Sequence, residues 1–78
     1  MNGYLVVARG TFDDLPLRLF GTEAAAEEFA ATVDQVVIDR SEARKLMLDR
    51  ALPAKATKVE VMEFQDGLPA RRVSRRML

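Results

Sequence analysis

The dipeptide Asp66-Gly67 is the feature that most constrains the fold of this 78-residue chain. Glycine adopts positive φ without a steric penalty, so Asp-Gly between two β-like runs is a strong signal for a hairpin. Residues 57–64 before it alternate apolar and polar side chains in the manner of a half-buried strand. Residues 68–75 after it are rich in arginine and are the expected partner strand. The sequence therefore predicts a β-hairpin with a three-residue loop that begins at Gln65.

Another hairpin is predicted near the start of the chain. Residues 4–12 are rich in β-forming side chains, and residues 15–20 alternate. The two aspartates between these runs suit a turn, because their carboxylates bond to nearby backbone N–H groups. A two-residue loop pairs Ala8 with Leu19 and collects the apolar residues on one face. A slip of one residue would mix the two faces, so this register is the prediction.

The same register leaves a second apolar patch on the other side of the sheet. Leu5, Val7 and Phe20 fall on the face opposite the predicted core. If the helices cover one face only, these side chains stay exposed, and exposed apolar patches mark association surfaces. We therefore take the three residues as a candidate association face.

The middle of the chain has helical spacing. Thr22 is a suitable N-cap, and the apolar residues that follow it predict a helix over residues 23–34. Asp39 opens a pattern like a capping box, which predicts a second helix that ends before Pro53. The segment Val36–Ile38 either extends the first helix or forms a short extended link.

These elements predict an α+β fold in one small domain, residues 1–78. Its sheet is four-stranded, antiparallel and made of two β-hairpins, with one or two helices inserted between them and packed on one face. The expected order is β-β-α-α-β-β. A domain this small is marginally stable alone, and self-association is one way to stabilise it, so a homodimer is a plausible state.

The two predicted hairpins share a short motif. Residues 15–18 and residues 68–71 both read Leu-Pro-x-Arg, each after an acidic turn and a phenylalanine. The match is either an internal repeat or independent use of the same turn chemistry. Proline lacks a backbone N–H donor, so we expect Pro16 and Pro69 at a strand start or on an edge strand.

The residue types that support common enzyme chemistry are missing. The chain has no histidine and no cysteine, which excludes Ser-His-Asp catalysis and thiolate metal sites. Asp13-Asp14 is interpreted as a solvated turn and not as a cation site. The four glycines are isolated, so no glycine-rich loop is available to bind phosphate. We expect a protein that is not an enzyme and that uses no cofactor and no metal.

Charge is spread unevenly along the chain, although the net charge is zero. Residues 1–34 contain six acidic and two basic residues, and residues 35–78 contain six acidic and ten basic residues. This asymmetry is typical either of a basic binding face or of two halves that attract each other within one fold. The zero net charge favours the second interpretation.

Four arginines near the C-terminal end of the sequence are the candidate contact for a polyanion or another partner: Arg71, Arg72, Arg75 and Arg76. Clustered arginines bind phosphate groups, but the interleaved aromatic residues of single-strand binders are missing. The alternative is a solvated edge strand whose charge discourages aggregation. The predicted loop sets Glu60 opposite Arg72, which supports pairing within the fold.

The leading functional hypothesis is a small non-enzymatic module for protein–protein interaction or regulation, acting through an apolar sheet face and available edge strands. The alternative is a nucleic-acid-binding module that uses the arginine cluster. No apolar run approaches the roughly 20 residues of a membrane span, and residues 1–4 lack the pattern of a secretory signal. We therefore expect a cytoplasmic protein without a membrane partner.

Overall fold

The computed structural model describes residues 2–10, 14–41 and 56–78. Its elements are β1 (Gly3–Arg9), β2 (Asp14–Phe20), α1 (Glu23–Thr32), α2 (Gln35–Asp39), β3 (Lys58–Gln65) and β4 (Leu68–Met77). The strands form one antiparallel sheet in the order β2-β1-β3-β4. The predicted α+β class, the two hairpins and the order β-β-α-α-β-β are confirmed.

Side-chain caps set where the helices begin. The backbone N–H of Ala25 donates to Oγ1 of Thr22 at 3.2 Å, so α1 begins where the sequence predicts. The backbone N–H of Val37 donates to Oδ1 of Asp34 at 2.9 Å and opens α2. The segment Val36–Ile38 therefore belongs to a separate short helix. Asp39 closes that helix, so the prediction that it opens a helix is wrong, and the remainder of that predicted helix lies outside the described residues.

The core lies between α1 and one face of the sheet, which we call the helix-covered face. Its largest fully buried side chains are Val6, Val33, Val59 and Val61. Ala26 of α1 is also fully buried, because a side chain this small allows the helix backbone to approach the sheet closely. Side chains of the two central strands, β1 and β3, therefore form one side of the core, and α1 packs against them from the other side.

The first hairpin differs from the predicted register. Ala8 pairs with Leu15 instead of Leu19, and the last pair before the loop is Arg9 with Asp14. Asp14 belongs to the strand as the partner of Arg9, and its carboxylate accepts a hydrogen bond from Nη1 of Arg9 at 2.6 Å. The prediction of a two-residue loop is therefore wrong, since four residues separate the ends of β1 and β2.

A β-bulge in β2 moves residues from one face to the other. Val7 pairs with Pro16 while Val6 pairs with Arg18, so Leu17 is the extra residue. After the bulge every side chain of β2 points to the opposite face from the one the regular register gives. Phe20 consequently lies on the helix-covered face, which corrects its predicted placement beside Leu5 and Val7.

The second hairpin has the predicted position and a shorter loop. Gln65 pairs with Leu68, which leaves Asp66 and Gly67 as the two loop residues, with φ of 54° and 80°. Positive φ at both positions is the geometry whose twist matches the flanking strands. The Asp-Gly signal is thus confirmed, while the expected third loop residue belongs to β3.

Gly67 should tolerate substitution poorly for this reason. A Gly67→Ala change places a Cβ at positive φ and is expected to lower the free energy of unfolding by about 1 kcal/mol. Gly21→Ala is the control, since a Cβ at Gly21 would enter open space and the residue has no positive φ. Urea unfolding followed by circular dichroism measures both. Equal losses in the two variants would contradict the assigned turn.

The shared Leu-Pro-x-Arg motif has the same structural role in both hairpins. Pro16 and Pro69 each lie near the start of an outer strand, which confirms their predicted edge positions. Each proline is followed by a bulge, at Leu17 in β2 and at Ala70 in β4. The preceding phenylalanine of the first copy lies outside the described residues, so the equivalence is shown for the Leu-Pro-x-Arg part.

Candidate interaction surface on the open face of the sheet

The face of the sheet that points away from α1 carries a continuous set of apolar side chains, and we call it the open face. Antiparallel partners point to the same side, and alternate residues of a strand point to opposite sides, so the register defines its members. The apolar members are Leu5, Val7, Pro16, Leu19, Met62, Phe64, Pro69 and Met77. All four strands contribute at least one of them.

A shallow groove of about 260 Å³ runs across this face. Leu5 and Val7 of β1 form its floor together with Met62 of β3, and Pro16 and Pro69 line it from the two outer strands. Proline rings are rigid and cannot donate to a neighbouring strand, so they give the groove walls a fixed shape. The groove is therefore a preformed apolar depression on the open face.

Two of the three residues predicted as an association face lie on this surface. Leu5 and Val7 line the groove, although Val7 itself is only 5% exposed. Phe20 does not, because its ring packs against Phe29 of α1 with centroids 5.4 Å apart. The guanidinium of Arg18 covers the Phe20 ring at 5.2 Å and shields it from solvent. Phe20 is thus part of the packing between helix and sheet.

Sequence reasoning missed the other half of the groove. The alternation of β3 separates Val59 and Val61 from Met62 and Phe64, and it places the second pair on the face away from the core. That signal is present in the sequence. The alternation does not reveal which strand lies beside β3. Only the pairing of Leu5 with Met62 shows that the apolar residues of β1 and β3 form one surface.

A chain of charged side chains borders the apolar groove. Nη1 of Arg9 donates to Asp14 at 2.6 Å, and Nε of the same guanidinium donates to Oε1 of Glu60 at 2.6 Å. Nη1 of Arg72 donates to Oε2 of Glu60 at 3.2 Å. Glu60 is 4% exposed, so its carboxylate is buried between two arginines. These bonds link β2, β1, β3 and β4 in that order.

Burial and ion pairing act in opposite directions on Glu60. Desolvation by burial raises the pKa of its carboxyl, but the hydrogen bonds from Arg9 and Arg72, together with the positive charges of Arg9 and Lys58, leave the pKa below its ordinary value. The same contact with Glu60 raises the pKa of Arg9 above its ordinary value. Glu60 accordingly serves as an ionised partner for two guanidinium groups.

The four clustered arginines divide between the two faces. Arg71 lies on the helix-covered face, where Nε is 2.6 Å from Glu63 and Nη2 is 3.5 Å from Glu23. Nη2 of Arg76 donates on the same face to the carbonyl oxygen of Ala30 at 2.8 Å and to that of Val33.

The other two arginines, Arg72 and Arg75, lie on the open face. They share a face because the bulge at Val73 shifts the alternation of the strand by one residue. Arg72 binds Glu60 as described. Arg75 pairs in register with Glu60, and its side chain has no ion pair with any residue in the described ranges. The predicted opposition of Glu60 and Arg72 is thus displaced in register, while the ion pair between them is present.

Arg76 fastens the last strand to the end of the first helix. Since its guanidinium donates hydrogen bonds to two carbonyl oxygens at the end of α1, those of Ala30 and Val33, Arg76→Gln is expected to lower the free energy of unfolding by about 1 kcal/mol. Arg75→Gln, one residue away on the other face, should change it by less than about 0.5 kcal/mol. Chemical denaturation measures both changes in stability. A larger loss of stability for the Arg75 variant than for the Arg76 variant would contradict the stabilising role of these hydrogen bonds.

Comparisons with protein-family models, with curated proteins and with solved structures found no match to this chain. Within residues 2–10, 14–41 and 56–78, no group of three or more acidic side chains is placed to hold a metal ion. The helices of that same part of the chain are too short or too polar to cross a membrane.

Proposed function

We propose that this protein is a non-enzymatic protein-interaction module that binds a protein partner through the open face of its sheet. The observation that carries the proposal is the apolar groove on a face that no described helix covers. Apolar depressions with a charged border are typical of surfaces that bind other proteins. The buried carboxylate of Glu60 is held by two arginines, which suits a structural ion pair better than acid–base chemistry.

The edges of the sheet favour binding on the face over binding by strand addition. Both outer strands contain a proline and at least one bulge, and these features interrupt the row of hydrogen-bonding groups that an added strand needs. The four arginines of β4 add charge along the second edge. Pairing at the edges, which the sequence also suggested, therefore receives less support than the open face.

Nucleic-acid binding receives less support from the arrangement of the arginines. Arg71 and Arg76 point to the helix-covered face and bind partners there, which leaves Arg72 and Arg75 on the open face. A site for polyanions gains affinity from the number of phosphates that it neutralises. Arg9 and Arg72 are already bound to Glu60, so Arg75 and Lys58 on the same face provide only a small part of such a site.

Selection from a phage-displayed library of random 12-residue peptides tests the proposal. We expect peptides that bind the wild-type protein and lose at least tenfold in affinity for Met62→Glu and for Pro69→Glu, which both alter the groove. Val36→Glu is the control, since Val36 is 54% exposed on α2 and lies away from the groove. Circular dichroism verifies that each variant is folded. Failure to obtain any peptide sensitive to the groove variants would overturn the proposal.

A further inference from the structure

We infer that the partner segment on the open face is short and acidic, with apolar side chains that enter the groove and carboxylates that meet Arg75 and Arg72. This inference rests on the proposed function and names the chemistry of the partner. It follows from two properties of the open face: its charge and the volume of its groove.

The open face is positively charged although the whole chain is neutral. By register its charged members are Arg9, Lys58, Arg72 and Arg75 on the basic side, against Asp14 and Glu60 on the acidic side. Both acidic side chains already form ion pairs with arginines of the sheet. The remaining positive charge faces solvent beside an apolar groove, and complementary carboxylates on a partner would be attracted to it.

The described part of the helical layer, on the other side of the sheet, has the opposite sign. Residues 22–41 contain five acidic residues and one basic residue, Arg40. An acidic segment is therefore repelled by the helical layer and attracted by the open face, which favours a single mode of approach. The open face of a second copy carries the same positive excess, so contact between two open faces brings like charges together.

The volume of the groove favours a short peptide segment. The groove holds about 260 Å³, which is less than the roughly 300–1,000 Å³ of small-molecule sites. A peptide segment that inserts one or two apolar side chains fits this volume.

Arg75 supplies the most specific contact. Arg72 is held by Glu60, whereas Arg75 has no ion pair within the described residues and lies in the neighbouring row of the open face. A carboxylate on the partner gains a charge-assisted hydrogen bond there without displacing an internal one. Arg75 is thus the side chain whose change tests the inference most directly.

Peptides recovered from the phage library provide the probes. We expect those that depend on Met62 and Pro69 to combine apolar residues with a net negative charge. Their affinity, measured by fluorescence anisotropy, should fall at least tenfold on Arg75→Glu and should weaken as NaCl rises from 50 to 200 mM. Arg40→Glu on the helical layer is the matched control and should leave the affinity unchanged.

Results that differ from these expectations would overturn either the acidic partner or the proposed function, depending on the measurement. Groove-dependent peptides without acidic enrichment, or equal effects of Arg75→Glu and Arg40→Glu, would reject the acidic partner and leave the proposed function standing. Sedimentation should show a monomer at micromolar concentration, and a dimer dispersed by Met62→Glu would assign the face to a second copy. Groove-dependent binding of a 12-nucleotide single strand at 150 mM salt would assign it to nucleic acid. Absence of any groove-dependent peptide rejects the proposed function itself.

Discussion

Replacing Glu60 by alanine is expected to lower the free energy of unfolding by about 2–3 kcal/mol. The change removes two charge-assisted hydrogen bonds and leaves the guanidinium groups of Arg9 and Arg72 facing a gap. The loss stays below the largest values known for buried pairs, because both arginines retain some exposure and can turn to water. For a domain of this size the loss is a large share of the total stability.

Urea denaturation at pH 7 measures the loss, with Glu28→Ala as the control. Glu28 is exposed on α1, so its removal should change stability by about 0.5 kcal/mol or less. If Glu60→Ala and Glu28→Ala behaved alike, the buried carboxylate would have no stabilising role.

The same residue predicts how stability depends on pH. The pKa of Glu60 is lower in the folded protein than in the unfolded chain, since the two arginines favour its ionised form. Its contribution to the free energy of unfolding is therefore complete at pH values above the ordinary glutamate pKa of about 4.3. That contribution is lost as the pH falls below this value and through the lower pKa of the folded protein. Denaturation between pH 7 and pH 3 should show a steeper loss in the wild type than in Glu60→Gln. Parallel curves would contradict the ion-pair chain.

The second large effect is expected at Ala26, where substitution by glutamate should unfold the chain in water. Ala26 is fully buried between α1 and the sheet, so a longer side chain displaces the packing and places a charge in the core. Burying an unpaired charge costs several kcal/mol. A domain of 78 residues has about 4–12 kcal/mol of total stability.

Ala24→Glu is the matched control, since Ala24 is exposed two residues away on the same helix. That variant should stay within about 0.5 kcal/mol of the wild type. Far-UV circular dichroism and the urea midpoint distinguish the two variants. A cooperative transition for Ala26→Glu near the wild-type midpoint would mean that α1 does not lie on the sheet through this residue.

Local chemistry explains which elements could be predicted from the sequence. The Thr22 cap, the Asp66-Gly67 turn and the edge prolines depend on residues a few positions apart, so the sequence pattern is sufficient. The start of α2 could not be predicted in the same way, because Asp34 and Asp39 are both good caps. Packing of Ile38 into the core selects Asp34.

Register could not be predicted from the alternation of apolar and polar residues alone, because each bulge shifts that alternation by one residue. Packing of Phe20 on Phe29 accompanies the extra residue at Leu17, and that contact joins two different elements. The bulge at Val73 similarly places Arg71 and Arg76 on one face, whereas simple alternation would separate them. The candidate site depends on these shifts, so the sequence identified Leu5 and Val7 and missed their neighbours across the sheet.

The central position of the β1–β3 pair has a consequence for how the chain acquires its fold. Gly3 pairs with Phe64, so the middle of the sheet joins residues that are far apart along the backbone. The β1–β2 hairpin and α1 cannot complete the core until β3 arrives with Val59 and Val61. Closure of this long loop opposes the first contacts entropically, so we expect slower folding than for a small domain held together by local contacts.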